Sequence, residues 1–264
     1  IFSVNKDGVL VDSNARSVQG YGAVKGSAAL GVPGDVKVAT GQIPAVASTR
    51  IGYVGNLSAD WPAPTVTPFN PADAKSYNMS KQSVVYDSLG SQHTLSQYFV
   101  KTASNTVTVH YAFPGGAPSA TTQTLTFDAQ GQLPVVAPSP TLALATTNGS
   151  APISVKIDYT GTTQFAGEAI TTTNNTDGYA SGTFVGVELA SDGSIIAKYS
   201  NEQQQTVGTV AIATFADEGS LNAVSDTSWT ETSASGVALL GTPGSGLAGK
   251  LNTGTLELWL PLKA

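Results

Sequence analysis

The stretch Asp177–Phe215, DGYASGTFVGVELASDGSIIAKYSNEQQQTVGTVAIATF, decides the fold class. It holds three apolar runs, Gly182–Leu189, Ser194–Tyr199 and Val207–Phe215, each short, β-branched or aromatic, and bounded by Gly, Asp, Asn or Ser. Runs of this length between such punctuation read as strands of a β-meander. Ser191-Asp192-Gly193 predicts a hairpin tip with a primed turn, because Gly, and less readily Asp, accepts positive φ.

The same punctuation extends outward from this stretch. From residue 1 to about 49, short strands are separated by Gly-rich connections, among them Lys25-Gly26-Ser27 and Gly31-Val32-Pro33-Gly34-Asp35. A strand at Ile51–Asn56 leads into Trp61-Pro62-Ala63-Pro64 and Pro68-Phe69-Asn70-Pro71. Each of these four prolines lacks a ladder donor, which excludes a central strand. Further strands are expected at Ser83–Tyr86, Thr94–Lys101, Thr106–Phe113, Thr122–Phe127 and Ile153–Tyr159. Val107, Val109 and Tyr111 alternate with Thr106, Thr108 and His110, the period of a half-buried strand with one wet face. Residues 133–150, rich in Pro, Ala and Thr, read as a loop or weak edge. Helix is scarce: Pro71–Tyr77 allows one turn with Asn70 as N-cap, and Ala216–Ala223 another.

Composition narrows the function. Charged residues make up 11% of the 264, against roughly 25% in an average protein, so solubility rests on hydroxyl and amide groups. The net charge of −6, with no basic stripe to neutralise phosphates, argues against nucleic acid as a partner. Cysteine is absent, which removes disulfides and thiolate metal sites. No apolar run reaches the ~18 residues of a membrane-spanning helix, and IFSVNKDGVL lacks the pattern of a secretory signal.

Residues that could carry chemistry have simpler uses. Gly244-Ser245-Gly246-Leu247-Ala248-Gly249-Lys250 fits the G-x-x-x-x-G-K part of a phosphate-binding loop, but Leu251 stands where that loop needs a magnesium-binding hydroxyl and no βαβ unit precedes it. His93 and His110 lack further donors at ligand spacing. Asp217-Glu218 reads as solvated surface, and neither Ser88 nor Ser245 lies in G-x-S-x-G. Asn56, Asn78, Asn148 and Asn174 open N-x-S/T triplets, frequent by chance in so Ser/Thr-rich a chain. Trp61 and Trp229 suit packing better than sugar platforms. The sequence thus assigns no catalytic, cofactor-binding or metal-binding residue.

Several blocks stand out along the chain: Asp177-Gly178-Tyr179 with Gly182; Asp192-Gly193-Ser194; Tyr199-Ser200-Asn201 with Gln205 and Gly208; and Ala211-Ile212-Ala213-Thr214-Phe215. With them stand Phe2–Val11 followed by Gln19-Gly20-Tyr21, Val84–Gly90 with His93-Thr94-Leu95 and Tyr98–Lys101, and Trp229 preceding Leu240–Gly246. Together, in their order along the chain, these blocks resemble the bacterial flagellar hook protein family. The resemblance implies an all-β fold of two barrel- or sandwich-like domains: a discontinuous inner domain, 1–50 plus 177–264, and an outer one, 51–176, inserted into it. It implies a structural, non-enzymatic subunit of the hook, the curved tubular universal joint that passes motor torque to the filament. It further implies an extracellular location reached by the flagellar type III export route. Expected partners are copies of the chain in a helical tube, rod and hook-filament junction proteins and, during assembly, the hook cap, with neither nucleic acid nor membrane. The scarcity of helix suggests a core fragment without the family's terminal helical segments, monomeric in isolation, whose tail from Leu258 to Ala264 departs from the family. The alternatives are a distal rod protein and a secreted β-sandwich adhesin or glycan-binding module.

Overall fold

The structure, a computed structural model, describes residues 2–24, 30–134, 139–224, 228–246 and 248–253. It is all-β, and the chain divides into two compact units, 1–43 with 182–264 and 44–181. The cuts read from the sequence at 50/51 and 176/177 fall inside the second unit. Asp177 Oδ1 accepts from the N–H of Thr49 (2.8 Å) and of Arg50 (3.0 Å), and Val46 bridges Tyr179, which gathers both flanks of the expected insertion into that unit.

The 44–181 unit is a sandwich of two four-stranded sheets. One has the order Thr122–Thr126, Thr106–Ala112, Gln92–Ala103, Met79–Tyr86, all antiparallel. The other has the order Thr141–Leu144, Ile153–Asp158, Arg50–Asn56, Ile170–Thr176, and its two middle strands run parallel. One core joins the sheets: Val107, Val109 and Tyr111 point inward with Leu95, Phe99 and Leu125, and meet Ile51, Tyr53, Val155, Ile157 and Tyr159. Removing such side chains from water contributes about 1.5–3 kcal/mol each. The opposite face of the first sheet is not simply wet. Phe69, from the proline-rich segment, lies over it, stacked on His110 at 4.3 Å and tilted against Tyr98 at 5.2 Å. Within 133–150, Thr141–Leu144 is an edge strand.

In the other unit a six-stranded antiparallel sheet has the order Leu30–Asp35, Gln19–Ala23, Gln204–Val210, Ser194–Tyr199, Gly182–Leu189, Gln42–Ile43. The Ser3–Val4/Leu10–Val11 ribbon and residues 36–38 contribute to its buried cores, where Leu10 and Val36 meet Ile195 and Val210, and Val38 meets Ala197 and Tyr199. The meander expected at 182–210 is present. The run Val207–Phe215 is not one strand, however: it breaks at Ala211, whose N–H donates to Gln19 C=O, and Ile212–Thr214 pairs instead with Leu239–Gly241. Gly31–Asp35, read as a connection, lies in an edge strand, where Pro33 is tolerated.

Local chemistry corrects two further expectations. The 190–194 tip is a type I turn followed by a left-handed glycine (Gly193, φ 84°), not a primed turn. The turn near 71–77 is a 3₁₀ segment, Ala74–Ser76, capped by Asp73, whose side chain accepts from Lys75 N–H; Asn70 instead accepts from Ala72 N–H. A second 3₁₀ turn, Glu218–Ser220, is capped by Asp217. The tail Leu258–Ala264 lies outside the described residues.

Candidate functional site

One device closes four turns, three of them hairpin tips. At Asn5, Asp12, Asp87 and Asp128 the backbone C=O accepts from the N–H three residues on, and the backbone N–H donates to the C=O four residues on. The side-chain Oδ1 accepts from the N–H groups two and four residues on. The fourth position is left-handed each time: Gly8, Ala15, Gly90 and Gly131. A short side chain that bonds its own backbone is what such a turn selects, and each turn thereby satisfies amides that no ladder reaches.

The tip at Asp87 is tied to a second loop. The Asp87 side chain is fully buried; its Oδ2 lies 3.0 Å from His93 Nε2 and accepts from Asn148 Nδ2 at 2.6 Å. Asn148 Nδ2 also reaches Ser91 Oγ (3.2 Å), and Ser88 Oγ accepts from Ala151 N–H (3.0 Å). Burial by itself would push the Asp87 carboxyl up. The hydrogen bonds from His93, Asn148 and the Ser91 and Leu89 amides outweigh it and hold the group far below the ordinary carboxylate range.

A second polar chain crosses the sandwich core. Tyr159 Oη donates to Gln97 Oε1 (2.6 Å), Gln97 Nε2 to Ser83 Oγ (2.8 Å), Ser83 Oγ to Asn174 Oδ1 (2.6 Å), and Asn174 Nδ2 to Gln82 C=O (2.7 Å). Because Tyr159 spends its proton on Gln97, the 3.1 Å contact between the two hydroxyls makes Tyr111 the donor to Tyr159. Burial raises the pKa of both phenols, which keeps them neutral donors. The chain links both sheets, and Asn174 caps the edge strand Met79–Tyr86.

The residues singled out in the sequence scatter. In Gly244–Lys250 the amides of Gly244, Ser245 and Ala248 donate to Gly249, Thr242 and Ser245 carbonyls, and Leu251 packs against the 1–43/182–264 core. His110 is stacked under Phe69, its pKa lowered by burial; His93 serves Asp87. Among the described residues no three His, Cys, Asp or Glu side chains converge as a metal site. Ser245 Oγ donates to Thr242 C=O. All four N-x-S/T asparagines hold internal hydrogen bonds: Asn56 with Phe165 N–H, Asn78 with Pro62 C=O, Asn148 with Asp87 and Asn174 with Ser83. Trp61 packs against the sandwich core, whereas Trp229 is 54% exposed rather than packed.

Mostly antiparallel sheets whose polar side chains knot tips, cap an edge strand and key two sheets together define an all-β protein. Residues 56–179 match the family model described as the flagellar basal body protein FlaE D2 domain. The chain is 36% identical over 231 residues to the flagellar hook protein FlgE of Escherichia coli K12, covering 85% of this chain and 57% of that one. It is 33% identical over 265 residues to FlgE of Salmonella typhimurium, covering 97% and 65%. It thus spans about three fifths of the length of these relatives. A crystal structure of Helicobacter pylori flagellar hook protein FlgE2 shares the fold, with a TM-score of 0.61 at 15% identity over 91% of this chain and 86% of that one. Along most of its length the chain is similar to flagellar hook proteins, and these relatives favour neither a distal rod protein nor an adhesin.

Proposed function

We propose that this chain forms wall domains of a bacterial flagellar hook subunit. What carries the reading is the alignment with hook proteins along nearly the whole chain, through both units. A hook that bends while it rotates needs units stiff inside and contacts outside that exchange cheaply. Close-packed β cores keyed by buried hydrogen bonds supply the first. A surface with few charges and many hydroxyls supplies the second, through contacts of small individual strength.

In this reading the 44–181 unit is the inserted outer domain and the unit formed by the chain's two ends the inner one. The partners are further copies in a helical tube, with rod and hook-filament junction proteins at its ends and the hook cap during growth. The subunit leaves by type III export and has no catalytic role. Alone, the 264-residue chain sediments as a monomer, because its weak contacts need the tube to fix their register. Immunogold labelling with antibody to this chain tests the reading. Label should concentrate on the short segment between filament and cell body; label along the filament or over the cell surface would overturn it.

A further inference from the structure

Asn148-Gly149 is the chain's one Asn-Gly pair. Glycine leaves the amide that follows an asparagine unshielded, so that amide can attack the carboxamide. Three features at this pair bear on that reaction. Gly149 is exposed, sits at φ 83°, and a Cβ placed on it would meet nothing within 4 Å; among the described residues its N–H has no hydrogen-bond partner. Asn148 Oδ1 accepts from Ser150 N–H at 3.1 Å, a donor placed where negative charge gathers when Cγ is attacked. The carboxamide is also held in place, since its Nδ2 is bonded to Asp87 Oδ2 and Ser91 Oγ.

We propose that Asn148 is a self-modification site, the first asparagine of the folded chain to deamidate, and that its conversion unties the Asp87 knot. The Gly149 amide nitrogen gives up its proton and bonds to Asn148 Cγ, and Nδ2, gaining a proton, leaves as ammonia. Water then opens the five-membered imide at Cγ to give aspartate, or at the Asn148 backbone carbonyl carbon to give isoaspartate. Either product replaces a hydrogen-bond donor with a carboxylate facing buried Asp87. Two like charges at that separation repel, and the 146–151 loop keeps only the Ala151 N–H to Ser88 Oγ bond to the 87–91 tip.

The same pair heads an N-x-S triplet, but its asparagine is already committed to Asp87, which leaves little freedom for an attached glycan. Peptide mass spectrometry of the folded chain incubated at pH 8.5 and 37 °C is the test, with a urea-unfolded sample alongside. Expected is a 1 Da gain at Asn148 ahead of every other asparagine in the folded sample, with isoaspartate present. Asn148→Asp should melt several degrees below wild type, and Asn148→Ser, which adds no charge, should fall less. If Asn148 converts in the unfolded sample while staying intact in the folded one, the fold protects the site and the proposal fails. A melting point for Asn148→Asp equal to or above that of Asn148→Ser would overturn the claim about the knot.

Discussion

Replacing Tyr159 by Phe removes one oxygen from the middle of the chain that keys the sandwich and leaves the ring against Tyr53 and Phe99. Two fully buried groups lose their partners, Gln97 Oε1 and the Tyr111 hydroxyl. A buried group left unsatisfied costs about 1–3 kcal/mol, so the variant should lose about 3 kcal/mol. Tyr111→Phe takes a donor only from the end of the chain. Tyr159 still donates to Gln97, and the expected loss is about 1 kcal/mol. Urea unfolding followed by Trp61 fluorescence, with Trp229 and Trp259 replaced by Phe, reports on the 44–181 unit. With a slope of about 2 kcal/mol/M, the midpoints should fall by about 1.5 M and about 0.5 M. Equal losses in the two variants, or less than 1 kcal/mol for Tyr159→Phe, would refute the directional chain.

Three further outcomes follow from the turns and sheets. Ala15 sits left-handed at φ 60° in a turn where three sister turns use glycine; relief of about 1–2 kcal/mol of strain, offset in part by glycine's entropy, should make Ala15→Gly more stable by about 0.5–1 kcal/mol in urea melts. Gly20→Ala should destabilise the 1–43/182–264 unit by about 3 kcal/mol, because the new Cβ would meet Thr209 C=O at 2.5 Å and Val36 Cγ2 at 2.6 Å; a change below 1 kcal/mol in Trp229 fluorescence melts would argue against that packing. Asp87 has a folded pKa below its unfolded value of about 3.9. It therefore favours the fold above that pH, and its contribution drains away as pH falls toward the folded value. The urea midpoint of wild type should drop between about pH 5 and pH 2, and that of Asp87→Asn less steeply; Asp12, Asp158, Asp177 and Asp192, lowered in the same direction, leave a residual slope.

Strand identity was legible wherever alternation and turn residues agreed, as at Thr106–Ala112 and Ser194–Tyr199. The break at Ala211 was not, because Val210–Ala213 is apolar without interruption and only the pairing partner changes. Glycine alone could not say which turn it makes: Gly193 fits a primed turn as readily as the left-handed close of a type I turn. Gln97 carried a usable signal, since it shares inward parity with Leu95 and Phe99. Its partners did not. Ser83, Asn174 and Tyr159 come from strands brought together by the sheets, and no spacing along the chain records that. The same holds for Asp87 and Asn148, 61 residues apart.

Electron cryomicroscopy of hooks purified from the organism that makes this protein measures its role most directly. The density of each repeating subunit should accept both units, 1–43 with 182–264 and 44–181, each docked as a rigid body, with 44–181 at the greater radius of the tube wall. A hook map that accepts neither unit, or one that places 44–181 against the central channel, would contradict the assignment of this chain to the hook wall.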